Sequence, residues 1–208
     1  CAPPPRHVGS NMNKPFVHRF WDLLLGDEPK QRLRISRALT AASVYMVCVG
    51  LMAYSCIAGF MHWDAAITLS SLILINVLWW YMFLRLGWNL RYKDPAMTLP
   101  QILSALTVIA AAYAITGPIH GSTMMLLSLV LVFGIFNMKA HAARIAGAYT
   151  VVIMGGTIIY KCITEPALYP VRLEIAHFVL VAAIVPTISA LAAQLSNLRA
   201  KLQAQKEE

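Results

Sequence analysis

The chain has 208 residues, 59% hydrophobic and only 12% charged, with a formal net charge of +8 and a mean hydropathy of +0.63. A soluble domain of this size needs more charge to cover its surface, so a soluble globular fold is excluded and lipid is the expected solvent. The basic excess does not point to nucleic acid, because most Lys and Arg flank apolar runs instead of gathering in one patch with aromatics between them.

Residues 1–11 carry a Pro run and the pair Gly9-Ser10 ahead of the first Met, Met12, and are expected to be a tag or cloning remnant. Residues 12–37 read as a cytoplasmic lead-in. Within it, residues 16–25 place Phe16, Phe20, Trp21, Leu23 and Leu24 opposite His18, Arg19 and Asp22, the pattern of a short amphipathic helix lying on the membrane surface. Gly26 ends it. Asp27, Glu28 and Pro29 then predict a new helix start, with an N-cap acid and a Pro where no donor is needed. The first long apolar run comes too late for a cleavable signal peptide.

Six membrane spans are predicted near 38–60, 65–86, 97–117, 121–138, 142–160 and 172–194, punctuated by Gly59, Gly87, Asp94-Pro95, Gly117-Pro118 and the 166–170 segment. Residues 38–194 therefore read as one six-helix membrane domain with short loops. With the N-terminus in the cytoplasm and Arg6 of the tail left out, the inner segments hold 14 Lys and Arg and the outer loops only Lys161 and Arg172. That bias predicts a multi-pass membrane protein with both termini cytoplasmic. Cys48 and Cys56 sit inside one apolar run, Cys162 at an outer edge and Cys1 in the tail, without metal-knuckle or disulfide spacing.

Beyond the last span the helical pattern continues. Leu191, Leu195, Leu198 and Leu202 recur at 4-3-4 spacing while polar residues fill the other faces, which predicts an a/d seam of about two heptads. Residues 195–208 are thus expected to be the stub of a parallel coiled coil that pairs the chain with a second copy of itself. Pro186 lies inside the last span and is expected to kink it.

The sequence has no GxSxG, P-loop or HExxH, so no enzyme activity is expected of these residues. Polar groups near lipid are the remaining candidates, because they are costly to keep there. Glu174 and His177 are an i,i+3 pair at the outer end of the last span, and the outer loops add His62, Asp64, His120 and Glu165. Three uses are open to His120, Glu174, His177 and His62: ligation of a divalent metal, pH sensing, or internal bonding with Glu174 paired to Arg172. Ser70, Ser71, Asn76, Ser104, Thr107 and Tyr113 are read as interhelical hydrogen-bonding groups. Trp79, Trp80, Tyr81 and Trp88 suit an interfacial aromatic belt, and Gly155-Gly156 suits close helix packing.

The lead-in "FVHRFWDLLLGDEPKQRLRISRAL", the six compact spans and the closing "LAAQLSNLRAKLQAQKEE" resemble the membrane-associated sensor region of bacterial diguanylate cyclases, from Met12 to the end. The resemblance implies a sensory and dimerisation domain that regulates a C-terminal cytoplasmic output domain making cyclic di-GMP. The GGDEF motif is absent, so GTP and Mg would belong only to that output domain. A histidine kinase or another nucleotidyl cyclase could follow the same helix, and a small transporter or channel subunit is the alternative of a different class. The expected partners are a second copy, membrane lipids and a small ligand; metal ions, protons, lipophilic molecules and haem all remain open as that ligand.

Overall fold

In lipid every backbone N–H and C=O has to be satisfied within its own segment, so apolar runs of this length are driven into helix. The computed structural model describes residues 29–92, 94–135, 138 and 140–207. The tag-like residues 1–11, the amphipathic segment 16–25 and the capping residues Asp27 and Glu28 lie outside them. Among the described residues six α-helices follow in order: α1 Pro29–Ile57, α2 Trp63–Arg85, α3 Thr98–Ile115, α4 Thr123–Ile135, α5 Ala140–Thr164 and α6 Val171–Glu207. Two 3-10 turns, Trp88–Arg91 and Gly117–Ser122, precede α3 and α4 respectively. There is no strand among the described residues.

Five of the helices are long and apolar enough to cross a membrane: α1, α2, α3, α5 and the first half of α6. Their outward faces are as apolar as their interior. Val47, Leu51, Ile75, Trp79, Val152 and Ile163 are all exposed, a surface that fits hydrocarbon and would aggregate in water. The fourth predicted span differs from expectation. Gly117 takes a left-handed φ of 58° and Pro118 lacks an N–H, so the segment opens as a tight 3-10 turn. Among the described residues α4 then covers 13 positions, Thr123–Ile135. The basic segment 30–37, in contrast, is simply the first two turns of α1.

Helix α3 is central. It packs against α2, α4 and α5, while α6 lies on α5 and α4, and α1 reaches the rest through α2. The main core is shared by α3 to α6 and contains the fully buried Leu106, Leu127, Met154 and Val181. Two interhelical bonds fall where expected: Trp80 Nε1 donates to Ser104 Oγ at 2.7 Å, and the Thr107 and Tyr149 hydroxyls meet at 2.8 Å. At the end of the bundle where α1 begins, the buried Gln31 amide donates to the Leu84 carbonyl and to Asn89 Oδ1 at 2.9 Å. That tie holds the start of α1 against the end of α2.

Of the two adjacent glycines on α5, only one serves close packing. A Cβ on Gly155 would stand 2.9 Å from the Phe178 ring of α6, whereas one on Gly156 would meet nothing within 4 Å. Gly155→Val is therefore expected to cost about 1–3 kcal/mol through overpacking. Gly156→Ala should be neutral or stabilising by up to about 1 kcal/mol, the helix-propensity gain. Thermal unfolding in detergent reads both, and equal effects would mean that α5 and α6 do not meet at Gly155.

Helix α6 is the longest element, 37 residues without a break. It remains helical through Pro186, with Thr187 Oγ1 donating to the Ala183 carbonyl at 2.9 Å close to the missing N–H. The predicted last span and the coiled-coil stub are thus one rod. Along its far end Leu191, Leu198 and Leu202 are exposed, while Leu195 is partly buried against the core of its own chain.

Candidate functional site

The site stands at the end of the bundle away from Leu202, where α3 finishes and α6 begins. Glu174 and His177 occupy the first two turns of α6 at i,i+3 spacing, which puts them on one face. Tyr113 comes from the last turn of α3, and His120 from the 3-10 turn that Gly117 and Pro118 initiate. Tyr169 comes from the connection between α5 and α6. Tyr113, Tyr169, His120 and Glu174 are all buried, Glu174 to 1% exposure, and His177 is the partly exposed member.

Glu174 organises the group. Its Oε2 accepts the Tyr113 hydroxyl, and its Oε1 lies 2.9 Å from His120 Nε2 and 3.5 Å from His177 Nδ1. On the other side of the His120 ring, Nδ1 is 2.5 Å from the Gly117 carbonyl. A carbonyl can only accept, so that nitrogen carries a proton. A further proton must then lie between Nε2 and Glu174, on one or the other. The Tyr113 oxygen is also 2.9 Å from His177 Nδ1. Since the single phenolic proton is committed to Glu174, His177 donates to Tyr113 there.

Aromatic rings enclose these polar atoms. The His120 ring packs on Tyr169 at 4.5 Å between centroids and edge-on to Tyr113 at 4.9 Å. The Tyr169 hydroxyl donates to the carbonyls of Tyr113 at 3.0 Å and Ala114 at 3.2 Å. Burial, reinforced by the nearby Glu165 carboxylate, pushes that phenol up to about 12, so it remains a donor at any physiological pH. Lys161 is buried, paired with Glu165, and holds its Nζ 5.1 Å from the centre of the Tyr169 ring. Among the described residues no buried side-chain nitrogen or oxygen lacks a partner.

Of the four candidate ligands, the fold brings three together: His120, Glu174 and His177 each offer an atom within 4.8 Å of the others. His62 does not join them; it is exposed at the residue before α2. Glu174 turns inward to Tyr113 and His120, while Arg172 is exposed, so the expected Glu174–Arg172 pairing is not what satisfies the carboxylate. Tyr113, read only as a packing hydrogen bond, belongs to the site. Tyr169 and the Gly117 carbonyl were not anticipated; their sole trace is the Gly117-Pro118 pair before His120 and the Pro-flanked Tyr169 before α6.

A groove of about 500 Å³ between α5 and α6 approaches the cluster. It is lined by apolar side chains including Val152, Ile159 and Phe178, and ends on Cys162 and Glu174. Chemically, two imidazoles, one carboxylate and one phenol can exchange protons or ligate a cation, and nothing in the group is placed as an activated nucleophile. Comparison with protein-family models, curated proteins and solved structures returns no match, so the site's own geometry carries its reading.

Proposed function

We propose that the chain is the membrane-embedded input and dimerisation part of a signalling protein, acting on a C-terminal cytoplasmic output domain, with a diguanylate cyclase as the first candidate. One observation carries this reading: Glu174 and His177 stand on the same unbroken helix as Leu198 and Leu202. From Glu174 to Leu202 is about 42 Å at the α-helical rise, more than the thickness of the hydrocarbon core. A change in how the buried cluster holds the first turns of α6 is thereby delivered as a tilt or rotation at the exposed leucines. The output could equally be a histidine kinase or another cyclase, since only the pairing of the two α6 ends matters.

The orientation belongs to the same reading. With both termini cytoplasmic, Lys and Arg divide 14 inside to 2 outside, and the cluster faces the outer side. The fourth crossing is then made jointly by the 3-10 turn and α4, which laid end to end measure about 31 Å.

Oxidative cross-linking in membranes tests the coupling. With the native cysteines replaced, Leu202→Cys should cross-link between two copies, and adding Glu174→Gln should change the rate several-fold although the two positions are far apart. Absence of any cross-link at position 202, or identical rates in both backgrounds, would remove the support for an input role.

A further inference from the structure

We propose that His120, Glu174 and His177 form a binding site for a divalent first-row transition metal ion of the zinc class. Two imidazoles and one carboxylate are a donor set for such ions, whereas magnesium and calcium favour oxygen alone. The spacing suits it. Zinc ligands at about 2.0–2.1 Å in a tetrahedral arrangement lie about 3.3 Å from one another. Here Glu174 Oε1 is 2.9 Å from His120 Nε2 and 3.5 Å from His177 Nδ1. All three ligand atoms lie within 4.8 Å of one another, so drawing the two imidazoles together by up to about 1.5 Å places an ion among the three.

The surroundings are those of a prepared ligand set. His120 Nδ1–H is held by the Gly117 carbonyl, which leaves Nε2 facing the site, and Tyr113 donates to the free oxygen of Glu174. These outer bonds orient metal ligands and fix the histidine tautomer. When the ion enters, it takes the place of the proton between His120 and Glu174, and that proton is released to water as H⁺. His177 moves its own proton to Nε2 and offers Nδ1 to the ion, while Tyr113 keeps its bond to Glu174. His177, with 14% of its side chain exposed, marks the side from which an ion arrives. Lys161 does not oppose it, being paired with Glu165 behind the Tyr169 ring.

A bound ion would tie the α3–α4 connection directly to the first two turns of α6. The site stands on its own geometry, and only this consequence rests on the input role proposed above. The test uses the chain purified in detergent without a polyhistidine tag and stripped by chelator. Zinc is titrated against a chromophoric competitor, with elemental analysis of the isolated protein. One zinc per chain and a rise in unfolding temperature are expected. Glu174→Gln, which preserves the shape and hydrogen bonds of the carboxyl group, should abolish stoichiometric binding, as should His177→Asn. Tyr113→Phe should weaken binding about 10–100-fold, as loss of an outer bond to a metal ligand does.

No stoichiometric zinc on the unmodified chain overturns the site, as does undiminished binding by Glu174→Gln and His177→Asn. Because the first of these is read without any variant, a misfolded variant cannot rescue the proposal. The Leu202→Cys cross-link, repeated with and without zinc, separates the two readings. Zinc bound with no change in cross-linking keeps the site and removes its link to α6; no zinc bound, with cross-linking still sensitive to Glu174→Gln, keeps the input role alone.

Discussion

Replacing Glu174 with alanine is expected to lower the stability of the detergent-solubilised protein by roughly 3–5 kcal/mol, the loss typical of breaking a buried charged network from one side. The cause is what remains behind. Tyr113 loses the acceptor of its hydroxyl and His120 Nε2 loses its partner, and both residues are buried among aromatic rings. Each buried group left without a partner costs about 1–3 kcal/mol. For a chain of this length, 1 kcal/mol moves the unfolding temperature by about 2–4 °C, so a fall of roughly 10 °C should be readable. Glu174→Gln behaves differently. Its amide oxygen accepts from Tyr113 and its NH₂ donates to a neutral His120, so the loss should stay near 1 kcal/mol, the net worth of a single bond. If alanine and glutamine prove equally mild, Glu174 does not organise the cluster.

The second large effect lies at the other end of α6. Changing Leu198 and Leu202 together to Asp should convert a dimer to a monomer in mild detergent. Both side chains are exposed on the single chain, so their loss leaves the bundle intact. Each leucine buried between two helices contributes about 1.5–3 kcal/mol. Four of them meet in the proposed dimer, and four carboxylates in their place would repel. A rise in the dissociation constant of at least about a thousandfold follows, the equivalent of 4 kcal/mol. Size-exclusion chromatography with light scattering measures it. Leu195→Asp is a different experiment, because Leu195 packs on the core of its own chain and its replacement damages the bundle as well. A chain that remains dimeric without Leu198 and Leu202 would place the interface elsewhere.

The two predictions meet in the same rod, and the way that rod was legible is instructive. Leu191, Leu198 and Leu202 stood out because Gln194, Asn197, Arg199 and Lys201 fill other faces of the helix, so their spacing marks a face. Higher up, Val181 and Val185 are buried in the core, yet in a stretch where almost every residue is apolar no pattern marks them. Periodicity informs only where the two sides of a helix differ, and lipid removes that difference. The same limit hid which glycine of Gly155-Gly156 touches α6, and it hid that the predicted fourth span opens on the end of a 3-10 turn, with its α-helix beginning only at Thr123.

Composition and the charge at the ends of apolar runs were enough to determine that this is an all-helical chain with several helices able to cross a membrane, and to place Glu174 beside His177 on one face of the last. Bringing His120 to them across 54 positions, and Tyr113 across 61, was decided only by the packed bundle. Hydropathy belongs to residues one at a time. A converging site depends on how far each helix is rotated and how closely its neighbours approach, and those quantities are set jointly by α3, α5 and α6 once they have packed.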